Sequence, residues 1–166
     1  MNIKTSFILL LILSFIACKQ SGEKSSNDVI APNPKKEVKE KVHKIEYLNS
    51  NSFKEKVFDY TGNKEWDFKG NAPCIIDFYA DWCAPCRSIA PILEELSKEY
   101  KGKINIYKVN VDTEKELAMA FNVQSIPMLL FCPVDDKPSV LRGAVPKDVI
   151  VEQINSKLLN SINTKL

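Results

Sequence analysis

An α/β domain, with a central mixed β-sheet and helices on both faces, is the fold class this sequence predicts. Three observations carry that prediction. Cys74-Ile-Ile-Asp-Phe-Tyr-Ala80 is a nearly continuous apolar run, the pattern of a central strand covered on both faces. Strand and helix patterns alternate after it, through a helix at 86–100 to a second apolar strand at Ile104–Val111. A pair of strand-like segments and a last helix then complete the domain, which points to a mixed sheet rather than a purely parallel one.

The elements follow in chain order. Residues 1–17 begin Met-Asn-Ile-Lys and continue without charge from Phe7 to Ala17, too short a run for the ~20 residues a bilayer-spanning helix needs. A basic start, a short apolar stretch and small residues make an export signal, against the alternative of a buried helix or strand. Ser-Phe-Ile-Ala-Cys18 resembles a bacterial lipobox, which makes Cys18 the expected lipidation site and the new N-terminus. The alternative is an incidental Cys in a cleaved signal, and Phe15 stands where the pattern prefers Leu. Residues 18–44 are polar, charged in both signs and contain Pro32 and Pro34. They have too little apolar surface to offset the entropy of ordering and are expected to form a flexible tether.

The folded domain is expected over 45–166. Ile45–Leu48 alternates, and Ser52-Phe-Lys-Glu55 is a capping-box pattern opening a short helix to Phe58. Residues 62–73 are turn-rich. In the helix at 86–100, Ile89, Ile92, Leu93 and Leu96 form one apolar stripe, and Pro91 should kink it. Thr113-Glu-Lys-Glu116 reads as a second capping box for a helix to Phe121. Strands are expected at Met128–Phe131 and Ser139–Arg142. Pro146 suits the first turn of a final helix through Val149, Ile150, Ile154 and Leu158.

Charge and cysteine usage exclude several classes. Against 21 Asp+Glu stand 23 Lys+Arg, a formal net charge of +2, with no concentrated basic face to bind nucleic acid. Five cysteines are too few for a small disulfide scaffold and leave one unpaired. The single His, His43, lies in a polar stretch, which argues against His-based catalysis.

The chemistry lies in Trp82-Cys83-Ala84-Pro85-Cys86. Two cysteines three apart at a strand-to-helix junction can close a disulfide across the first helical turn. Cys83 then meets the unpaired amides and the positive end of the helix dipole, which favour a thiolate. Cys86 is placed to resolve a mixed disulfide, and Pro85 stiffens the turn. A tetrahedral zinc needs four ligands, and the sequence has no second Cys/His pair to complete one, so no metal is expected. The dithiol itself suffices, and no cofactor is expected.

Beyond this motif the chain resembles thioredoxin from about Ile45 to Leu159. The likeness rests on Asp77-Phe-Tyr-Ala-Asp-Trp82-Cys83-Ala-Pro-Cys86, the helix with Pro91, Lys108-Val-Asn-Val-Asp112, Ser125-Ile126-Pro127 and Gly143-Ala144. With the signal, it looks like a bacterial exported thioredoxin of lipoprotein type. The resemblance implies the thioredoxin fold, a Cys83–Cys86 disulfide with Cys83 as nucleophile, and a cis Pro127 beside it. It also implies that Trp82, Ala84, Pro85, Ile126 and Pro127 meet substrate. Ala84 replaces the usual Gly and Met128 the usual Thr, departures expected to tune redox poise or partner fit.

Asp77, between Ile76 and Phe78, is expected to be buried beneath the CxxC turn, where burial raises a carboxyl pKa and makes it a candidate proton acceptor from Cys86. Lys108 is its matching charge partner, with a solvated Lys as an equal alternative. Cys74 and Cys132 read as core residues.

The expected function is a protein-disulfide reductase outside the cytoplasm, periplasmic and membrane-anchored through Cys18, and monomeric. Its partners would be protein disulfides and an upstream electron donor, a thioredoxin reductase or a membrane thiol-electron transporter. A disulfide donor or isomerase, or a cytochrome-maturation reductant of the same fold, is the alternative. A non-catalytic tethered binding or chaperone module is the alternative of another class.

Overall fold

The structure is a computed structural model that describes residues 44–62 and 65–160. The expected signal (1–17), the lipidation site Cys18, His43 and all of the tether but Lys44 lie outside the described residues. Five strands form one sheet in the order β1-β3-β2-β4-β5. They are β1 (Glu46–Tyr47), β2 (Cys74–Tyr79), β3 (Asn105–Asn110), β4 (Met128–Cys132) and β5 (Ser139–Arg142). β1 and β2 both pair with β3 in parallel, whereas β4 runs antiparallel to β2 and β5 antiparallel to β4. The mixed sheet is thus present, with the apolar β2 at its centre.

Strand alternation sends residues to two separate cores. On one face, Ile75, Ile106, Leu129 and Phe131 pack against Ile89, Leu93 and Leu96 of α2 (Ala84–Glu99) and Ile150 of α4 (Lys147–Gln153). On the other, Cys74, Ile76, Phe78, Val109, Met128, Leu130 and Cys132 meet Phe53 of α1 (Ser50–Lys56) and Leu117 of α3 (Lys115–Ala120). β2 and β4 supply apolar side chains to both cores, which is why neither shows a polar alternation in sequence.

The helix boundaries differ from expectation in instructive ways. α1 is capped by Asn49, not Ser52: the Asn49 Oδ1 accepts from the Ser52 amide at 2.9 Å, and the Ser52 hydroxyl accepts from the Asn49 amide at 2.9 Å. Ser52 is the third helical residue of that box. Asn is at least as good a cap as Ser, so the helix starts earlier. It also ends at Lys56 rather than Phe58. Thr113 caps nothing. Its hydroxyl donates to the Asn110 carbonyl, and Glu114 occupies the cap position of α3 without a side-chain cap bond. The Glu114 carboxylate is engaged elsewhere, accepting from the Ser50 amide (2.8 Å) and hydroxyl (2.7 Å) in the first turn of α1.

α2 begins at Ala84, two residues before the expected start, because Cys83 itself is the cap. Pro91 lies within α2, which continues to Glu99. Pro146 is the cap of α4 rather than a residue of its first turn, and beyond Gln153 the helix widens to π geometry over Ile154–Leu159. Ile150, Ile154 and Leu158 nevertheless form the expected buried stripe.

Candidate active site

The site lies where β2 ends and α2 begins. Cys83 and Cys86 form a disulfide of 2.03 Å with Cα atoms 5.3 Å apart. The Cys83 Sγ accepts from the Cys86 amide at 3.2 Å, so the sulfur takes the place that a Ser or Asp oxygen occupies in an ordinary helix cap. A negative charge on that sulfur would meet unpaired amides and the positive end of a 16-residue helix. Ala80, Cys83 and Cys86 are buried together, with Tyr79, Val111 and Ile126 packed on them. Trp82, Ala84 and Pro85 around them are exposed.

β2 and β3 also carry a buried ion pair. Asp77 and Lys108 face each other in the parallel register of β2 and β3, and the Lys108 ammonium donates to Asp77 Oδ2 at 2.5 Å. Asp77 is 0% exposed and Lys108 7%, which excludes the solvated alternative for the lysine. Burial pushes the Asp77 carboxyl above the usual carboxylate range, and the Lys108 charge and hydrogen bond offset part of that rise. The second oxygen, Oδ1, is buried without a partner. The ammonium also lies 4.3 Å from the centre of the Tyr79 ring, a cation–π contact.

Ile126-Pro127 is a cis peptide. Ile126 packs on the Cys83–Cys86 cluster, and the Pro127 carbonyl accepts from the Gly143 amide at 2.8 Å. Gly143 has φ 84°, a left-handed conformation that suits glycine. Of the five residues expected to meet substrate, Trp82 precedes the disulfide, Ala84 and Pro85 lie between its cysteines in the first turn of α2, and Ile126, joined by the cis bond to Pro127, packs against it.

Sequence reasoning missed the polar ties around this rim. Trp82 is 68% exposed, and its indole N–H donates to Asp112 Oδ2 at 2.9 Å. The Arg87 guanidinium donates to the Asp81 carbonyl at 3.0 Å, and the Asn110 side-chain amide to Asp81 Oδ2 at 3.3 Å. Asp112 stands in the quoted Lys108–Asp112 motif, but spacing alone does not show that β3 ends beside Trp82. Among the described residues no group of three or more His, Cys, Asp or Glu is placed to hold a metal ion.

A disulfide at a helix N-terminus on a mixed sheet, with a buried carboxylate on its central strand, is the arrangement found in the class of thiol–disulfide exchange proteins. The thioredoxin family model matches residues 44–156. Thioredoxin of Borreliella burgdorferi is 50% identical over 101 residues, covering 61% of this chain and 86% of that protein. The M-type chloroplastic thioredoxin of Spinacia oleracea is 33% identical over 153 residues, covering 87% of this chain and 79% of the relative. Thioredoxin 1 of a Nostoc species is 32% identical over 111 residues, covering 67% and 94%. The chain belongs to the thioredoxin family.

Proposed function

We propose that the protein is a protein-disulfide reductase acting outside the cytoplasm, tethered to a membrane by lipid on Cys18. The observation that carries the chemistry is the Cys83–Cys86 disulfide at the start of α2. In the reduced state the Cys83 thiolate attacks one sulfur of a substrate disulfide and expels the other as a thiolate, which takes up a proton. Cys86 gives its proton to Asp77, directly or through a water, and attacks the Cys83 sulfur of the mixed disulfide. The substrate leaves with two thiols, and the chain keeps the Cys83–Cys86 disulfide. A thioredoxin reductase or a membrane thiol-electron transporter returns the two electrons.

Substrate enters over Trp82, Ala84 and Pro85. Pro127 has no N–H and its carbonyl is taken by Gly143, so the main chain of Ile126 is the group that pairs with an extended substrate segment. The link from Glu99 to β3 at Asn105 is a short turn, with no inserted segment of the kind that cytochrome-maturation proteins of this fold carry. That favours a general reductase. The extracytoplasmic setting rests on the signal-like 1–17 and the lipobox-like segment before Cys18. Among the described residues no helix is long and apolar enough to cross a membrane.

The test is insulin reduction by dithiothreitol, followed as turbidity. The wild-type chain should accelerate it and Cys83→Ser should not. Equal curves would reject the reductase in favour of a binding or chaperone module. An equilibrium potential against glutathione at the strongly oxidising end would turn the direction to disulfide donor. Labelled fatty acid should enter the wild type in a bacterial host but not Cys18→Ala, and equal labelling would remove the anchor.

A further inference from the structure

Two more cysteines face each other at the opposite end of β2. Cys74 opens β2 and Cys132 closes β4, and the antiparallel register makes them direct partners. Both are free and buried, at 1% and 0% exposure. Both project to the same face, into the core formed with α1 and α3. Directly opposed residues of an antiparallel pair have Cα atoms about 4.5 or 5.5 Å apart, depending on the hydrogen-bonding position. Both values fall inside the ~4.4–6.8 Å span over which disulfides form. Opposed Cβ atoms lie about 4.5–5.5 Å apart, close to the ~3.5–4.5 Å of a bridged pair. The Cys132 thiol is held protonated by burial and, after that, by its neighbour Cys74.

We propose that Cys74 and Cys132 are a second thiol–disulfide couple, closing into a cross-strand staple under oxidation. The oxidant is a low-molecular-weight disulfide. One cysteine attacks it, forming a mixed disulfide and releasing one small thiol; the other cysteine displaces the second. Two protein thiols become one protein disulfide, and the small disulfide becomes two thiols, taking up the two electrons and two protons. Burial suppresses the Cys132 thiolate and shields both sulfurs, so closure is slow and passes through transient opening of the layer that half-buried Trp66 and Phe68 help form over this core. Once closed, the bond spans the segment containing β2, α2, β3, α3 and β4, and a long bridged loop restricts the unfolded chain strongly. Six residues of β2 place this couple roughly 17 Å from the end of the strand that leads to the CxxC turn. It would record oxidising conditions as stability while the first couple turns over.

The inference does not rest on reductase activity, so the full chain carrying Cys83→Ser and Cys86→Ser tests it separately. That chain is incubated for days with excess oxidised glutathione, in buffer and in urea below its unfolding midpoint. Peptide mapping by mass spectrometry should recover a Cys74–Cys132 linked peptide in buffer, and more quickly in urea. The melting temperature should rise by about 10 °C, and a further Cys132→Ala change should abolish both effects. Two free thiols in both media, stable glutathione adducts at either position, or a linkage seen only after complete unfolding would each overturn the proposal.

Discussion

The two ends of β2 carry the same chemical group in opposite roles. Exposure does not separate them: Cys83 and Cys86 are 3% and 2% exposed, Cys74 and Cys132 1% and 0%. Backbone setting does. Cys83 ends a loop between exposed residues and accepts an amide at the start of a helix, where a negative sulfur is stabilised. Cys132 is the last residue of β4, paired across the sheet with Cys74 of β2, and burial there pushes its thiol up. A burial figure alone would not have identified the reactive pair. The supply of unpaired backbone donors does.

The largest effect that could break this comparison is in alkylation. In the reduced chain at pH 7, iodoacetamide should modify Cys83 at least roughly a hundredfold faster than Cys74 or Cys132, because the amides at a helix N-terminus favour the Cys83 thiolate. Comparable rates, read by peptide mass spectrometry, would reduce the contrast to sequence position alone. Next comes the ion pair halfway along the strand. Lys108→Met leaves Asp77 buried without its counter-charge and should cost about 3 kcal/mol at pH 7 in urea unfolding. The native Asp77 pKa lies above that of the unfolded chain, so the native state holds more protons and stability falls as pH rises through that window. Without Lys108 the window widens upward, and the loss should shrink near pH 4.

A smaller effect belongs to the other end. The Cys132 thiol is raised when folded, whereas an unfolded thiol loses its proton near pH 8.5. Native protein therefore binds the extra proton, and stability should decline above that pH by up to about 1.4 kcal/mol per pH unit. Cys132→Val should flatten the slope up to pH 10, beyond which Tyr107, pushed up to about 12 by burial, adds a decline of the same sign. An unchanged slope would show that Cys132 titrates normally and sharpen the contrast no further. The smallest effect concerns the rim. Asp112→Ala releases the exposed Trp82 indole, which should change stability by less than about 1 kcal/mol and raise the KM for insulin more than it lowers kcat.

Much of this was legible in sequence because it is local. The apolar β2 and the CxxC turn each declare themselves within about ten residues. Asp77 could be placed in the interior because apolar residues flank it on both sides. The caps were misread because equivalent patterns compete: Asn49 outranked Ser52, and Glu114 was drawn to α1, a contact between residues far apart in sequence. The cis peptide at Pro127 came through family likeness, since composition cannot show it. The pairing of Cys74 with Cys132 was invisible for the same reason as Glu114. Antiparallel register between β2 and β4 is settled by packing of the whole sheet, and each cysteine alone looks like ordinary core.

The Glu114 carboxylate has a dynamic consequence. α1 has seven residues and α3 six, both shorter than helices that persist alone in water. Their residues share one core, and Phe121, just past α3, stacks edge-on against Phe53 of α1 at 5.1 Å. With Glu114 tying the cap residue of one helix to the first turn of the other, neither can fray without loosening its neighbour. The pair should therefore open as one cooperative unit, seen as amides of α1 and α3 that exchange hydrogen at a common rate.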